Sequence, residues 1–98
     1  RALEELPGVA QACVFGVDDA RWGQIVAAAI VPGAPPPDEA ALAAHVAARL
    51  APHKRPRRVA LVEQLPVNAS GKVSRRDAAA RFAGALRPLG GAPAAPRR

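Results

Sequence analysis

The sequence predicts an α+β domain in the order ββαβα, with helices packed on a small sheet. Three observations carry that prediction. Residues 9–17 (VAQACVFGV) and 24–31 (QIVAAAIV) are two apolar runs separated by six residues, which suits an antiparallel pair joined by a hairpin-type connection. Leu42, Val46 and Leu50 recur at i, i+4, i+8 between a proline-rich loop and Pro52, one stripe of a helix. A third apolar run, 57–65 (RRVALVEQL), leads into a Pro/Asn/Ser/Gly turn and then a helix-start signal at Ser74,.

Taken in order, the opening RALEELPGV resembles the end of a helix already under way. Arg1 to Leu6 would form under two turns, too little to stand alone, so we expect a piece of a larger protein. The first strand stops at Asp18-Asp19. It contains Cys13, the single cysteine, which excludes an internal disulfide, fits a reducing cytosol, and in an apolar run is expected to be an inert core thiol. Pro32-Gly33 ends the second strand. In GAPPPDEA, Asp38 can cap a helix and Glu39 favours the positive end of its dipole. His45 lies beside the helical stripe and is expected at an edge or on the surface, because no second ligand or base stands at catalytic spacing. In the third strand Val59, Leu61 and Glu63 alternate against Ala60 and Val62. Ser74 and Asp77 have capping-box spacing and start the last helix. Residues 84–98 (GALRPLGGAPAAPRR) have no apolar period and are expected to form a disordered tail, leaving residues 1–83 as the domain.

About 80 residues of core bury only ~60–65% of the unfolded surface, so stability should be modest. No apolar run reaches the ~18 residues of a membrane span, and the N-terminus lacks a signal-peptide layout. The net charge of +6 is uneven: residues 49–81 hold nine cations against Glu63 and Asp77, and the remainder sums to −1. Such a segment favours a polyanionic partner (nucleic acid, an anionic membrane surface or a phosphate-rich ligand) unless it is only a solvated face.

Within that segment, LPVNASGKVSRR (65–76) places a glycine–lysine pair on a turn. A phosphate-binding P-loop would need glycine at both ends of its frame and Lys-Ser/Thr at its close. Pro66 and Val73 stand where the first glycine and the hydroxyl should be, so that chemistry is excluded. What remains is Lys72 between a strand end and a helix N-terminus, with Gly71 permitting a positive φ and Pro66 stiffening the loop. A compact ammonium held outward from a fixed base suits phosphoryl or adenylyl transfer, where positioning and charge stabilisation dominate. An ordinary surface turn is the alternative.

The turn does not stand alone. LPVNASGKVSRRD, preceded by LAPHKRPRRVALVEQ and earlier by VFGVDDARWGQIVAAAIV, resembles the C-terminal domain of the adenylate-forming superfamily over about residues 1–83. Acyl- and aryl-CoA ligases, adenylation domains of nonribosomal peptide synthetases and luciferases make up that family. The resemblance implies that Pro66, Gly71 and Lys72 match a Pro-x4-Gly-Lys motif, with Lys72 the catalytic lysine of adenylation. ATP and CoA would be substrates, and the domain would rotate between half-reactions. Trp22, His53, Arg55 and Arg57 would lie against the CoA nucleotide, whose phosphates suit arginine. His53 stands where the family carries an aromatic. Core packing beside Gly23 is the other reading of Trp22, a solvated surface that of Arg55 and Arg57. Arg75 and Arg76 read as solvated helix-start charges.

The Ala/Arg/Pro/Gly-rich composition points to a high-GC bacterial genome, and the single cysteine to the cytoplasm,. The resemblance further implies that the large N-terminal domain, hinge, acyl pocket and Mg2+–ATP site lie outside this chain, so this piece alone should be inactive and itself holds no metal. Lys72 could be acetylated by a protein lysine acetyltransferase, removing the charge the chemistry uses. The acid is out of reach, with RWGQ and KRP tilting toward aryl or medium-chain acids, including benzoate and o-succinylbenzoate types. Two alternatives stand beside the CoA ligase. A peptide-synthetase-type adenylation domain would load a carrier protein, but its blocks resemble LPxYMVP and NGKVDR where this chain has LAPHKRP and SGKVSR. A small nucleic-acid-binding module would suit the charge, but Phe15, Trp22 and Phe82 are the chain's only aromatics, too few for a sheet that stacks bases.

Overall fold

The computed structural model describes residues 2–89. Strands β1 (Val9–Asp19) and β2 (Gly23–Pro32) are followed by α1 (Glu39–Arg49), β3 (Arg58–Leu61), α2 (Arg75–Phe82) and a short β4 (Arg87–Pro88). Single 3-10 turns occur at Leu3–Glu5, Pro52–Lys54 and Ala83–Ala85. The sheet order is β1-β2-β3-β4. β1 and β2 are antiparallel, β2 and β3 parallel, β3 and β4 antiparallel. The expected α+β architecture and the antiparallel first pair are therefore present. No helix among the described residues is long and apolar enough to cross a membrane.

The packing follows from β2. Its run has no polar face to offer water, so it must be covered on both sides. Ala27, Ala28, Ala29 and Ile30 are each 0% exposed. Leu42 and Val46 of α1 cover one side, packing with Ala28, Ile30 and Val59. Ala78 and Phe82 of α2 cover the other, with Cys13, Phe15, Ala27, Ala29 and Leu65. The expected caps form: Asp38 Oδ2 accepts from Ala41 N–H and Ser74 Oγ from Asp77 N–H. His45 is half-buried on the edge of α1, its Nε2 bonded to the Ala2 carbonyl.

Two expectations are corrected. The third strand covers residues 58–61 rather than 57–65, because its partner β2 runs out at Pro32, which has no N–H for the ladder,. The segment from Gly84 is not tail throughout: Arg87 and Pro88 pair with Val59 and Arg58, and Leu89 is buried. Leu86 packs on the α2-side cluster and Leu89 in the α1-side one. A strand crossing a sheet edge shows no apolar period, hence the misreading. The remainder of the expected tail, residues 90–98, lies outside the described residues.

Candidate functional site

Lys72 sits on a small, closed hairpin. Leu65 and Pro66 are buried, and from there the chain turns back so that Val67 and Val73 form an antiparallel bridge. Gly71 N–H donates to the Asn68 carbonyl at 2.9 Å, and Asn68 N–H to the Lys72 carbonyl at 2.8 Å. The Asn68 side chain fills the turn: its Oδ1 accepts from Ser70 N–H at 2.8 Å and from Lys72 N–H at 3.1 Å. Gly71 has φ +83° with nothing within 4 Å of where a Cβ would stand, so backbone conformation, not space, selects glycine. Ser74 N–H closes on the Pro66 carbonyl at 2.9 Å. Both main-chain polar groups of Lys72 are thus bonded while the residue is exposed. An ammonium on a stiff base results. Asn68 was not singled out from the sequence, although asparagine two residues before a turn N–H is a known turn-former.

The second assembly lies at the β1–β2 turn. Asp19 Oδ1 accepts from Arg21 N–H at 2.8 Å and Trp22 N–H at 2.9 Å, and its Oδ2 pairs with Arg58 at 3.1 Å. The N–H bonds from Trp22 and then Arg21, with the Arg58 charge adding, hold the Asp19 carboxyl below its ordinary value,. Asp19 therefore fastens the turn to the start of β3, where Arg57 precedes Arg58. Trp22 is 58% exposed, so it is not a core residue. The Arg57 guanidinium carbon lies 4.8 Å from its ring centroid and that of Arg21 5.7 Å, both at cation–π range. Asp19 and Arg21 were missed in the sequence; the signal was an Asx turn before an aromatic.

The other expected site residues are placed differently. Arg55 turns its guanidinium onto the end of α1, Nε donating to Leu50 O at 2.8 Å and Nη2 to Ala47 O at 3.0 Å, the role of a cation at a helix C-terminus. His53 and Lys54 line a groove of about 750 Å3 with Leu50, Cys13, Val73 and Arg75. The structure thus joins Pro66, Gly71 and Lys72 in one hairpin and Trp22 with Arg57 in one stack, and gives Arg55 and His53 other surroundings. Burial pushes the Cys13 thiol up, partly offset by Arg75, which leaves it a poor nucleophile. Among the described residues no three His, Cys, Asp or Glu side chains converge on a metal site.

Residues 1–72 match the family model described as AMP-binding enzyme C-terminal domain. The chain is 47% identical over 78 residues to a 4-chlorobenzoate–CoA ligase of Pseudomonas sp. (strain CBS-3), covering 78% of this chain and 15% of that protein. It is 42% identical over 84 residues to a fatty acid–[acyl-carrier-protein] ligase of Streptomyces coeruleorubidus, covering 84% of this chain and 16% of that protein. Among solved structures, a double mutant of o-succinylbenzoate CoA synthetase from Bacillus subtilis, bound with its product analogue, aligns with a TM-score of 0.73 at 32% identity, over 90% of this chain and 17% of that one. The chain spans about a sixth of the length of these relatives.

Proposed function

The chain belongs to the AMP-binding enzyme C-terminal domain family of the adenylate-forming superfamily, and from that premise we propose that it is the mobile C-terminal lid of an ATP-dependent, AMP-forming carboxylic acid:CoA ligase. The observation that carries the reading is the Lys72 hairpin. In the first half-reaction a carboxylate oxygen bonds to the α-phosphorus of ATP, the α–β anhydride bond breaks and pyrophosphate leaves. Negative charge shifts among oxygens throughout. Lys72 would follow it as a point charge between the attacking oxygen and the α-phosphate, supported by a base that needs no reorganisation. Mg2+ accompanying ATP would be held by the large domain; among the described residues of this chain no ligand cluster forms.

In the second half-reaction the CoA thiol gives up its proton, attacks the acyl carbonyl and expels AMP. After rotation of the lid, the exposed Trp22 ring would stack on the CoA adenine, with Arg57 on the nucleotide phosphates. His53, which lines the groove beside Lys54, and Arg55, through its hold on α1, would support that face. The likeness to 4-chlorobenzoate and o-succinylbenzoate enzymes supports aryl acids as the first substrates to try. The exposed Lys72 would also be accessible to a protein lysine acetyltransferase, and use of ATP and CoA suits a cytoplasmic enzyme.

The test is Lys72→Ala in the intact enzyme. Adenylation should fall by ~10²–10³-fold or more, as when one positioned donor is removed, while thioester formation from supplied acyl-adenylate persists. Equal loss of both halves would reject this role. The likeness to a carrier-protein ligase supports a second reading, in which the acceptor thiol sits on a carrier protein. Arg57→Glu separates the two: CoA transfer should be lost, whereas carrier loading should tolerate the change.

A further inference from the structure

Arg57 stands one residue before β3, and its main chain is held from both sides. Its N–H donates to the Val26 carbonyl at 2.8 Å, and its carbonyl accepts from Leu89 N–H at 3.1 Å. The second bond comes from the segment 86–89, which is anchored three ways. Leu86 packs against the α2-side cluster, Leu89 is 6% exposed within the α1-side cluster, and Arg87 pairs with Glu39 in the first turn of α1. Between these anchors Arg87 and Pro88 lie opposite Val59 and Arg58. The segment crosses the edge of β3 and closes on the carbonyl of the residue whose guanidinium meets Trp22.

We propose that residues 86–89 form a strap that positions Arg57 for the nucleotide end of CoA, with Leu89 a positioning residue for that site. This rests on the CoA reading of Trp22 and Arg57 given above. The physical need is plain. β3 has four residues, and without the strap it would be an unprotected edge whose start, Arg58 with Arg57 just before it, could open locally. A guanidinium–ring contact is effective only within about 6 Å of the centroid, so a modest drift of the Arg57 main chain disperses the stack. Arg58 is tied independently to Asp19, whereas beyond β2 Arg57 has the strap. The family match ends at residue 72, so the strap lies outside the segment that defines the family, while Trp22 and Arg57 lie within it.

Dissociation constants for CoA and ATP are measured by calorimetry on the intact enzyme and on Arg57→Ala, Leu89→Ala and the double variant. Arg57→Ala and Leu89→Ala should each weaken CoA binding about five- to tenfold, the scale of one lost polar contact, with ATP binding unchanged. The double variant should bind CoA no worse than Arg57→Ala alone, because Leu89 acts through Arg57. Losses that multiply in the double variant, or a parallel loss of ATP affinity, would mean general damage to the core and overturn the strap's role. If Arg57→Ala weakens CoA binding and Leu89→Ala does not, the strap fails and the CoA reading stands. If Arg57→Ala has no effect, the CoA reading fails and the strap with it. Arg87→Ala, which removes only an exposed ion pair, is run in parallel in case Leu89→Ala does not fold. It should weaken CoA binding about twofold, and wild-type affinity would overturn the proposal.

Discussion

Asn68→Ala isolates what the hairpin contributes to Lys72. The substitution removes the two bonds accepted by Oδ1, from Ser70 N–H at 2.8 Å and Lys72 N–H at 3.1 Å. It leaves the two main-chain bonds of Asn68 with Gly71 and Lys72 intact. Both lost bonds are exposed, so each is assigned the lower part of the usual range, about 0.5–1 kcal/mol. Together they bias the loop toward its closed form by about 1–2 kcal/mol, a factor of roughly 5–30 in population. If adenylation requires the closed hairpin, the first half-reaction should slow by about that factor, well short of the loss in Lys72→Ala. Pyrophosphate exchange measures it, and thioester formation from supplied acyl-adenylate should stay at wild-type rate. Exchange unchanged in Asn68→Ala would refute the claim that loop stiffness matters. Equal slowing of both halves would refute the claim that the effect passes through Lys72.

Gly71→Ala places a Cβ in open space but at φ +83°, so it should destabilise by about 1–2 kcal/mol through backbone conformation alone, read as a lower melting temperature. Arg55→Ala and Arg57→Ala should part company. Arg55→Ala strips two carbonyls at the end of α1 of their donor and should lower stability by about 1–2 kcal/mol; Arg57→Ala should change it by less than about 0.5 kcal/mol. Thermal unfolding of both variants checks this. Asp19 has a folded carboxyl below its ordinary value of 3.8, so its contribution is present above that value and lost as pH falls through the lowered one. Asp19→Asn should therefore be less stable than wild type at neutral pH, and the gap should narrow in acid melts below pH 3.8.

Much of this was legible in the sequence because the signals were local. Val9–Val17 and Gln24–Val31 are too apolar and too close together to be anything but a buried strand pair. Asp38 and Ser74 each cap the helix they precede. Lys72 could be placed on its turn from Pro66, Gly71 and the cap alone. Trp22 was ambiguous, because an aromatic beside glycine looks the same whether it faces core or solvent. Its exposure depends on Asp19, whose carboxylate bonds the turn on one side and Arg58, far along the chain, on the other.

Arg55 and Arg57 show the same division. Two residues apart in a basic run, they are interchangeable in composition, and the sequence supported one role for both. The structure turns Arg55 onto the end of α1 and Arg57 onto Trp22, because the main chain of Arg55 still belongs to the turn after α1 while that of Arg57 is already bonded to β2. Leu86 and Leu89 carried no pattern at all, since each fills a different core on either side of a sheet edge. By itself, the sequence determined the strand pair, the helices and the lysine turn, which depend on neighbours within a few residues. The sharing of cations among helix end, aromatic ring and carboxylate, and the docking of the last strand, were decided only in the tertiary structure, where geometry between distant segments selects each partner.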